Sequence, residues 1–196
     1  MNRFQILAVF LITIFLMQCS RDTVSPENSS DGFFPMEIGN KWNYHSIPEA
    51  FSVNESMVEI INTTEIGGKT YFVFERTYPN LTTHRDTSYF RKESNKVFIN
   101  WNGEEFLYID FDRDVNDSWE TRGSYIGVIQ DKNKRFEVPA GIFTNATLVY
   151  FDIPLAADAQ FCEHYAKGVG RLNICCLFGI PMELVSATIS GKKFPE

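Results

Sequence analysis

Residues 96–110 read KVFINWNGEEFLYID, two short runs in which apolar and aromatic residues alternate with polar ones around an Asn-Gly pair. Alternation with a period of two is typical of half-buried β-strands. Asn102 and Gly103 both tolerate the positive φ angles of a type I′ turn. The stretch therefore predicts a hairpin made of Lys96–Trp101 and Glu104–Asp110.

The same short pattern recurs on both sides of this hairpin. Further strands are predicted at Lys69–Tyr78, Ser124–Ile129, Thr147–Ile153 and Met182–Ser190, the last of them closing the sheet. Leu155–Phe161, which follows a proline, has the composition of a short helix. Many short strands with few helices predict an all-β fold, or β with one short helix, in which an antiparallel sheet curves into an open barrel or sandwich.

The N-terminus has the parts of a secretory signal. Met1–Arg3 is positively charged and Phe4–Met17 is almost wholly apolar. This run is shorter than the roughly 20 residues that a membrane-spanning helix needs. The sequence Leu-Met-Gln-Cys that ends at Cys19 resembles a lipobox, the motif of bacterial lipoproteins in which the cysteine becomes the lipidated first residue. We expect a signal peptide over residues 1–18 and lipidation, with palmitate or related acyl chains, at Cys19; the alternative is an uncleaved anchor.

A polar segment separates the lipidation site from the rest of the chain. Residues 19–32 contain Pro, Ser, Asn and Asp and no aliphatic residue except Val24, a composition typical of a flexible tether. Residues 33–196 are then long enough for one β-rich domain with a real core. The lipobox and Ser20 after it indicate a bacterial cell-envelope protein held by lipid, with the outer membrane as the expected location and the lipid bilayer as partner.

The charge balance argues against nucleic acid as a partner. Removal of residues 1–18 takes away a single charge, Arg3, and leaves 17 basic against 25 acidic residues, a net charge of −8. A strongly acidic protein repels polyanions. We expect no nucleic-acid binding.

Three segments carry a family resemblance. Phe34–Tyr44 (FPMEIGNKWNY), Val138–Phe143 (VPAGIF) and Tyr165–Gly170 (YAKGVG) resemble the FPLxxGNxWxY, VPAGxF and YAxGVG segments of uncharacterised bacterial lipoproteins. The order and spacing match as well. The resemblance implies a β-rich lipoprotein domain and brings no assigned activity with it.

Three cysteines remain beyond the lipidation site, in a compartment that favours disulfides. A chain reversal at Gly168–Gly170 would set Cys162 opposite Cys175 or Cys176, depending on its centre. A disulfide from Cys162 to either of them is therefore predicted. The alternative is that all three are small buried hydrophobic residues.

Two groups of residues are candidate metal sites. Cys162 and His164 share one face of a strand, and with Cys175 or Cys176 they could form a zinc or copper site. The alternating acids of residues 110–117 resemble a calcium loop, but Val115 and Thr121 stand where that loop needs its Gly and its bidentate Glu. We expect no metal and no cofactor.

Catalytic motifs are not evident. The chain has no Gly-x-Ser-x-Gly, His-Glu-x-x-His or phosphate loop, and His45 and His84 are isolated. We therefore expect a non-catalytic, membrane-anchored envelope lipoprotein that binds a partner protein or a hydrophobic ligand. The alternative is an envelope hydrolase or a metal-binding protein whose site assembles in space, for example near His164.

The aromatic content bears on this choice. Aromatic residues recur along the predicted strands, at Phe72, Phe74, Tyr89, Phe98, Phe106, Tyr108, Tyr150 and Phe151. They predict either ordinary core packing or an apolar groove in a curved sheet that could hold a lipid or another hydrophobic ligand.

Lipidation has a direct test. Membrane attachment through acyl chains gains about 0.8 kcal/mol per buried methylene, so several chains hold a protein firmly. Cys19→Ala should therefore move the protein from the detergent phase to the aqueous phase in Triton X-114 partitioning. Partitioning of this variant like the wild type would contradict lipidation at Cys19.

Overall fold

The computed structural model describes residues 32–47, 55–81, 84–154, 156, 159–176 and 180–195. The predicted signal peptide, Cys19 and all of the tether except Gly32 lie outside these residues. The strands within them are β1 (Lys41–Ser46), β2 (Glu55–Ile66), β3 (Lys69–Thr77), β4 (Arg85–Glu93), β5 (Lys96–Trp101), β6 (Glu104–Asp110), β7 (Ser118–Glu120), β8 (Ile126–Val138), β9 (Gly141–Asp152), β10 (Phe161–Ala166), β11 (Gly170–Cys176), β12 (Met182–Ile189) and β13 (Lys192–Phe194). One 3₁₀ turn, Arg122–Ser124, precedes β8. In the described part of the chain, no helix has the length and apolar character to cross a membrane.

The strands form one antiparallel sheet in the order β6-β5-β4-β3-β2-β1-β12-β11-β10-β9-β8-β7, with β13 beside β12. Two up-and-down meanders, β1 to β6 and β7 to β12, are thus joined where the first strand pairs with the twelfth. The prediction of an all-β fold with an antiparallel sheet is confirmed. Because nearly every pairing joins sequence neighbours, short turns suffice to build the sheet.

The sheet curves until its two edge strands approach each other as a nearly closed barrel. Trp119 of β7 donates its indole N–H to the carbonyl oxygen of Tyr108 in β6, over 3.1 Å. Trp119 lies flat on Gly127 of the neighbouring strand, where a Cβ atom would stand 2.5 Å from the indole ring. Glycine at this position therefore lets the ring lie across the seam of the barrel.

The hairpin at residues 96–110 forms as predicted. Its strands have the predicted bounds, and Asn102 and Gly103 have φ angles of 54° and 87°. The two strands predicted around residues 124–153 are longer than expected, because β8 and β9 extend into an arm with a charged sequence, DKNKRFE, and three register shifts. Such a polar, irregular arm carries no period-two signal.

Two expectations at the C-terminal side need correction. Phe161 begins β10 and is not part of a helix, while residues 155, 157 and 158 of the predicted helix lie outside the described residues. The strand that begins at Met182 is not the last, because Ser190 and Gly191 turn the chain into β13. A three-residue strand with a single apolar residue is too short for pattern recognition.

Two of the segments that carry the resemblance meet in space. The indole N–H of Trp42 donates to the carbonyl oxygen of Val169 over 2.7 Å. A Cβ atom at Gly170, where φ is 96°, would lie 3.2 Å from Pro35 and 3.3 Å from Trp42. The glycine therefore permits a close approach between the first strand and the β10–β11 turn.

A charged network lies on the outer face of β3 to β6, since Arg91 follows the inward-facing Phe90. Arg91 donates to Glu105 from Nε and, over 2.8 Å, from Nη2. Lys69 and Tyr71 also donate to this carboxylate, the former over 2.7 Å. The hydrogen bonds from Arg91, with smaller contributions from Lys69 and Tyr71, lower the pKa of Glu105 to about 2. The network therefore stabilises the ionised carboxylate.

This shift predicts a pH dependence of stability. An unfolded Glu has a pKa of about 4.3. The stabilising contribution of Glu105 is thus complete above that value and is lost as the pH falls towards the folded pKa of about 2. Glu105→Gln should lower the free energy of unfolding by about 1–2 kcal/mol at pH 7, a value reduced by partial solvent screening.

In urea titrations, the difference between wild type and Glu105→Gln should shrink steadily below about pH 4.5, near the unfolded pKa. Glu104→Gln, an exposed neighbour in the same strand, is the matched control and should change little at any pH. A difference between Glu105→Gln and wild type that stays constant down to pH 3 would refute the assignment.

Candidate functional site

The interior of the barrel holds a cavity of about 320 Å³. This is at the lower end of the range of small-molecule sites, about 300–1,000 Å³. Much of its wall is aromatic or aliphatic: Phe34, Trp42, Phe74, Phe90, Ile99 and Phe161. The space is thus suited to an apolar group of limited size.

Strand alternation explains why these side chains converge. Phe74 pairs with Ser88 between β3 and β4, and Phe90 pairs with Ile99 between β4 and β5. Directly paired residues face the same side of a sheet, so all four line the cavity. Thr87, one residue from Ser88, faces the opposite side and is exposed. Serine at position 88 leaves space where a larger residue would fill the cavity.

The lining of the cavity includes a buried group of polar residues. Glu163, which is 1% exposed, accepts hydrogen bonds from the hydroxyl of Tyr108 over 2.8 Å and from the hydroxyl of Tyr165. Arg171 Nη1 donates to the other carboxylate oxygen over 2.7 Å. A buried charge is tolerated only when it is paired and hydrogen-bonded. Both oxygens of Glu163 meet this requirement.

The electrostatics keep these groups in fixed protonation states. Burial, and then the negative charge of Glu163, raise the pKa of Tyr108 and Tyr165 above the usual tyrosine range. Burial alone would lower the pKa of Arg171, but the combined electrostatic contributions of Glu163 and of the tyrosines Tyr44, Tyr165 and Tyr108 outweigh it and hold the guanidinium charged. Around neutral pH the tyrosines are therefore neutral donors and Arg171 is a cation.

A β-bulge in β11 brings Arg171 into the cavity. Tyr165 pairs with Arg171 and His164 pairs with Asn173, so Leu172 has no partner across the ladder. The bulge shifts the alternation by one residue. Arg171 and Ile174 consequently both line the cavity although they lie three residues apart.

The more exposed part of the lining carries further charges. Arg76 and Arg122 are half-buried, whereas Asp86 is exposed and Trp101 is 45% exposed. The guanidinium of Arg122 lies 4.3 Å from the ring centre of Trp101, and none of the ion pairs among the described residues involves Arg122. Asp86 accepts a hydrogen bond from Tyr78 over 2.7 Å. Arg122 is thus a cation without a carboxylate partner in the described part of the chain.

Cys162 and Cys175 lie outside the cavity. Cys162 and Cys175 face each other across β10 and β11 with a Cα–Cα distance of 5.0 Å and form a disulfide, while Cys176 is free. Burial raises the pKa of the Cys176 thiol. Because Cys162 alternates with the cavity-lining Phe161 and Glu163, the disulfide sits on the outer face of the sheet.

His164 shares that outer face with Cys162, as the sequence indicates. Its ring stacks on Phe136 with 3.8 Å between ring centres, and Nδ1 lies 2.8 Å from Asn173 Oδ1. Burial lowers the pKa of His164, so its neutral form is favoured. The sulfur of Cys162 is taken up by the disulfide, and across the described ranges no three His, Cys, Asp or Glu side chains come together as a metal site.

The remaining sequence candidates have structural contacts. Asp110 is buried, with Oδ2 3.4 Å from Arg113 Nε, and Asp112 accepts a hydrogen bond from Asn95 over 2.8 Å. His84 is exposed, with Nε2 3.4 Å from Asp86 Oδ1. His45 is half-buried in β1.

The aromatic residues divide between the two faces of the sheet. The interior cluster and the residues packed on it include Phe72, Phe74, Phe106, Tyr108 and Phe151. Arg91 covers the ring of Phe98 on the outer face, 4.1 Å from its centre. The predicted aromatic groove thus corresponds in part to the cavity wall.

Comparison with known proteins gives a single finding. No protein-family model and no curated protein matches the chain. The structure is similar to the crystal structure of an inferred exported protein with a YmcC-like fold from Bacteroides fragilis, with 12% identity, coverage of 80% of this chain and 99% of that one, and a TM-score of 0.49.

Sequence reasoning missed the polar residues of the cavity, Glu163, Arg171 and Arg122. They belong to no motif, and strict alternation would place Arg171 and Ile174 on opposite faces. One usable signal was an acidic residue two positions from an aromatic residue on either side in the strand FCEHYA, which opposes a strand that carries an arginine.

The ion pair predicts the effect of removing one partner. Arg171→Met leaves Glu163 buried without its cation and should lower the free energy of unfolding by about 3–5 kcal/mol. The double variant Arg171→Met/Glu163→Gln should regain about half of that loss, because the neutral amide still accepts from the tyrosines. Urea denaturation measures both. A double variant no more stable than Arg171→Met would show that Glu163 is not the cause.

Proposed function

We propose that this chain is a non-catalytic lipoprotein of the bacterial cell envelope whose barrel binds a hydrophobic small molecule. The observation that carries the proposal is the cavity of about 320 Å³ with aromatic walls inside the sheet. Protein interiors are normally packed to the density of organic crystals. An unfilled space of this size among apolar side chains is therefore typical of a binding site and not of a packed core.

The position of the apolar surface favours a small ligand over a partner protein. Phe74 and Phe90 turn their rings into the barrel, where another protein's surface cannot reach them. Some large apolar residues, such as Ile38 and Ile142, are exposed on the described surface, as is normal for folded proteins. The apolar contacts that the cavity offers are inside the barrel.

The charged groups of the cavity suit binding better than proton transfer. Glu163 is saturated by donors from Tyr108, Tyr165 and Arg171. A general base needs a carboxylate that is free to take a proton from substrate. The tyrosines, with raised pKa values, are held as neutral donors.

The lipobox-like sequence supports anchoring at Cys19, and Ser20 after it supports the outer membrane as the location. The chain enters the cavity wall at Phe34, fifteen residues after Cys19. At about 3.3 Å per extended residue, this length spans up to about 50 Å. The binding domain would thus work close to a bilayer, a source of hydrophobic molecules.

Binding can be tested with the neutral fluorescent probe N-phenyl-1-naphthylamine. The wild-type protein should enhance and saturate its fluorescence at micromolar concentrations. Ser88→Phe places a ring in the cavity and should weaken binding by at least about tenfold, the equivalent of a few lost apolar contacts. Thr87→Phe adds the same ring on the outer face and should bind like the wild type.

Circular dichroism and the Tm of both variants show that the barrel is intact. Failure of the wild-type protein to bind the probe, or equal binding by folded Ser88→Phe and Thr87→Phe, would overturn the proposed function.

A further inference from the structure

We propose that the ligand of the cavity is a single-chain amphiphile with one carboxylate head, of the fatty-acid class, whose head pairs with Arg122 and Arg171. This inference rests on the proposed binding function and specifies the chemistry of its ligand. Its basis is the combination of an apolar space with arginines that have more N–H donors than acceptor partners among the described residues.

The charge of the cavity has the opposite sign to that of the protein. Arg76, Arg122 and Arg171 face two carboxylates, Asp86 and Glu163, so the lining carries one net positive charge. The whole chain has a net charge of −7. A single negative charge on the ligand would neutralise the net positive charge of the lining, whereas a cationic ligand would increase it.

The arginines have donors to spare. A guanidinium carries five N–H donors. Arg171 gives Nη1 to Glu163, its Nε has no hydrogen-bond partner among the described residues, and a fifth of its side chain (20%) remains exposed. Arg122 stacks on Trp101 and has no carboxylate partner in the described part of the chain. Both arginines line the same cavity.

A carboxylate matches these donors in shape and charge. The planar fork of a guanidinium binds carboxylate oxygens in pairs, and such charge-assisted bonds are about twice as strong as neutral ones. A neutral alcohol of equal chain length would fill the same apolar space and leave the cation uncompensated. The difference in affinity between the carboxylate and the alcohol therefore measures the head-group interaction alone.

The apolar space fits one chain. Its aromatic wall offers ring faces from Trp42, Phe74 and Phe90, and its volume of about 320 Å³ is near the minimum for a small-molecule site. A two-chain membrane lipid would exceed this volume. The single-chain form is therefore the one that the cavity can enclose.

The experiment measures displacement of N-phenyl-1-naphthylamine from the full mature protein by decanoate, 1-decanol and decyltrimethylammonium. The two ionic competitors are kept below their critical micelle concentrations and 1-decanol below its solubility limit. Decanoate should displace the probe at a concentration at least about tenfold lower than 1-decanol, as expected for charge-assisted hydrogen bonds to a carboxylate. Decyltrimethylammonium should be the weakest competitor.

Arg122→Gln should reduce the preference for decanoate over 1-decanol by about fivefold or more, since it removes one of two cations at the head group. Displacement by 1-decanol should be unchanged, which shows that the apolar space is intact. Arg135→Gln makes the same charge change at an exposed site on β8 and should leave all three competitors unaffected.

The outcomes separate the two proposals. If the probe binds but decanoate and 1-decanol displace it equally, or the cationic amphiphile displaces it best, the carboxylate assignment is wrong and the hydrophobic site stands. If Arg122→Gln and Arg135→Gln lose the preference for decanoate over 1-decanol equally, the preference depends only on the overall charge of the protein. That result would also overturn the assignment. If the probe does not bind, the proposed function itself fails.

Discussion

The buried carboxylate of Glu163 constrains several parts of the barrel at once. A charge inside an aromatic interior requires an opposite charge and hydrogen-bond donors for both oxygens, since leaving it unpaired would cost several kcal/mol. Three strands meet this requirement together: Tyr108 comes from β6, Tyr165 from β10 and Arg171 from β11. The pairing of the strands, the bulge in β11 and the side of the sheet on which Arg171 lies are therefore linked to one another.

The same constraint explains why the interior is not fully packed. An arginine that must reach Glu163 cannot also fill the space beside it, and Ser88 across the barrel is too small to do so. The aromatic rings that surround this region support one another in close contacts, for example Phe74 with Phe90 at 5.1 Å between ring centres and Tyr108 with Phe151 at 5.5 Å. These rigid walls resist collapse into the cavity. A largely apolar space with charged groups in its lining is the consequence.

The sequence predicts much of the sheet and little of the cavity. The hairpin at residues 96–110 follows from Asn102-Gly103 and from local alternation, and the reversal at Gly168–Gly170 correctly sets Cys162 opposite Cys175. The ion pair of Glu163 and Arg171 depends on a bulge at Leu172, which local patterns do not reveal. The meeting of Tyr108 with Glu163 joins residues 55 positions apart through curvature of the whole sheet. Contacts of this kind can be recognised only when the fold is known.

The most direct test of this account is a crystal structure of the protein with decanoate. The account predicts decanoate inside the barrel, with its chain between Trp42, Phe74 and Phe90 and its carboxylate within hydrogen-bond distance of a guanidinium of Arg122 or Arg171. The Glu163–Arg171 pair should remain in place beside it. An interior closed by side chains, with decanoate absent or bound only on the outer surface of the sheet, would contradict the account.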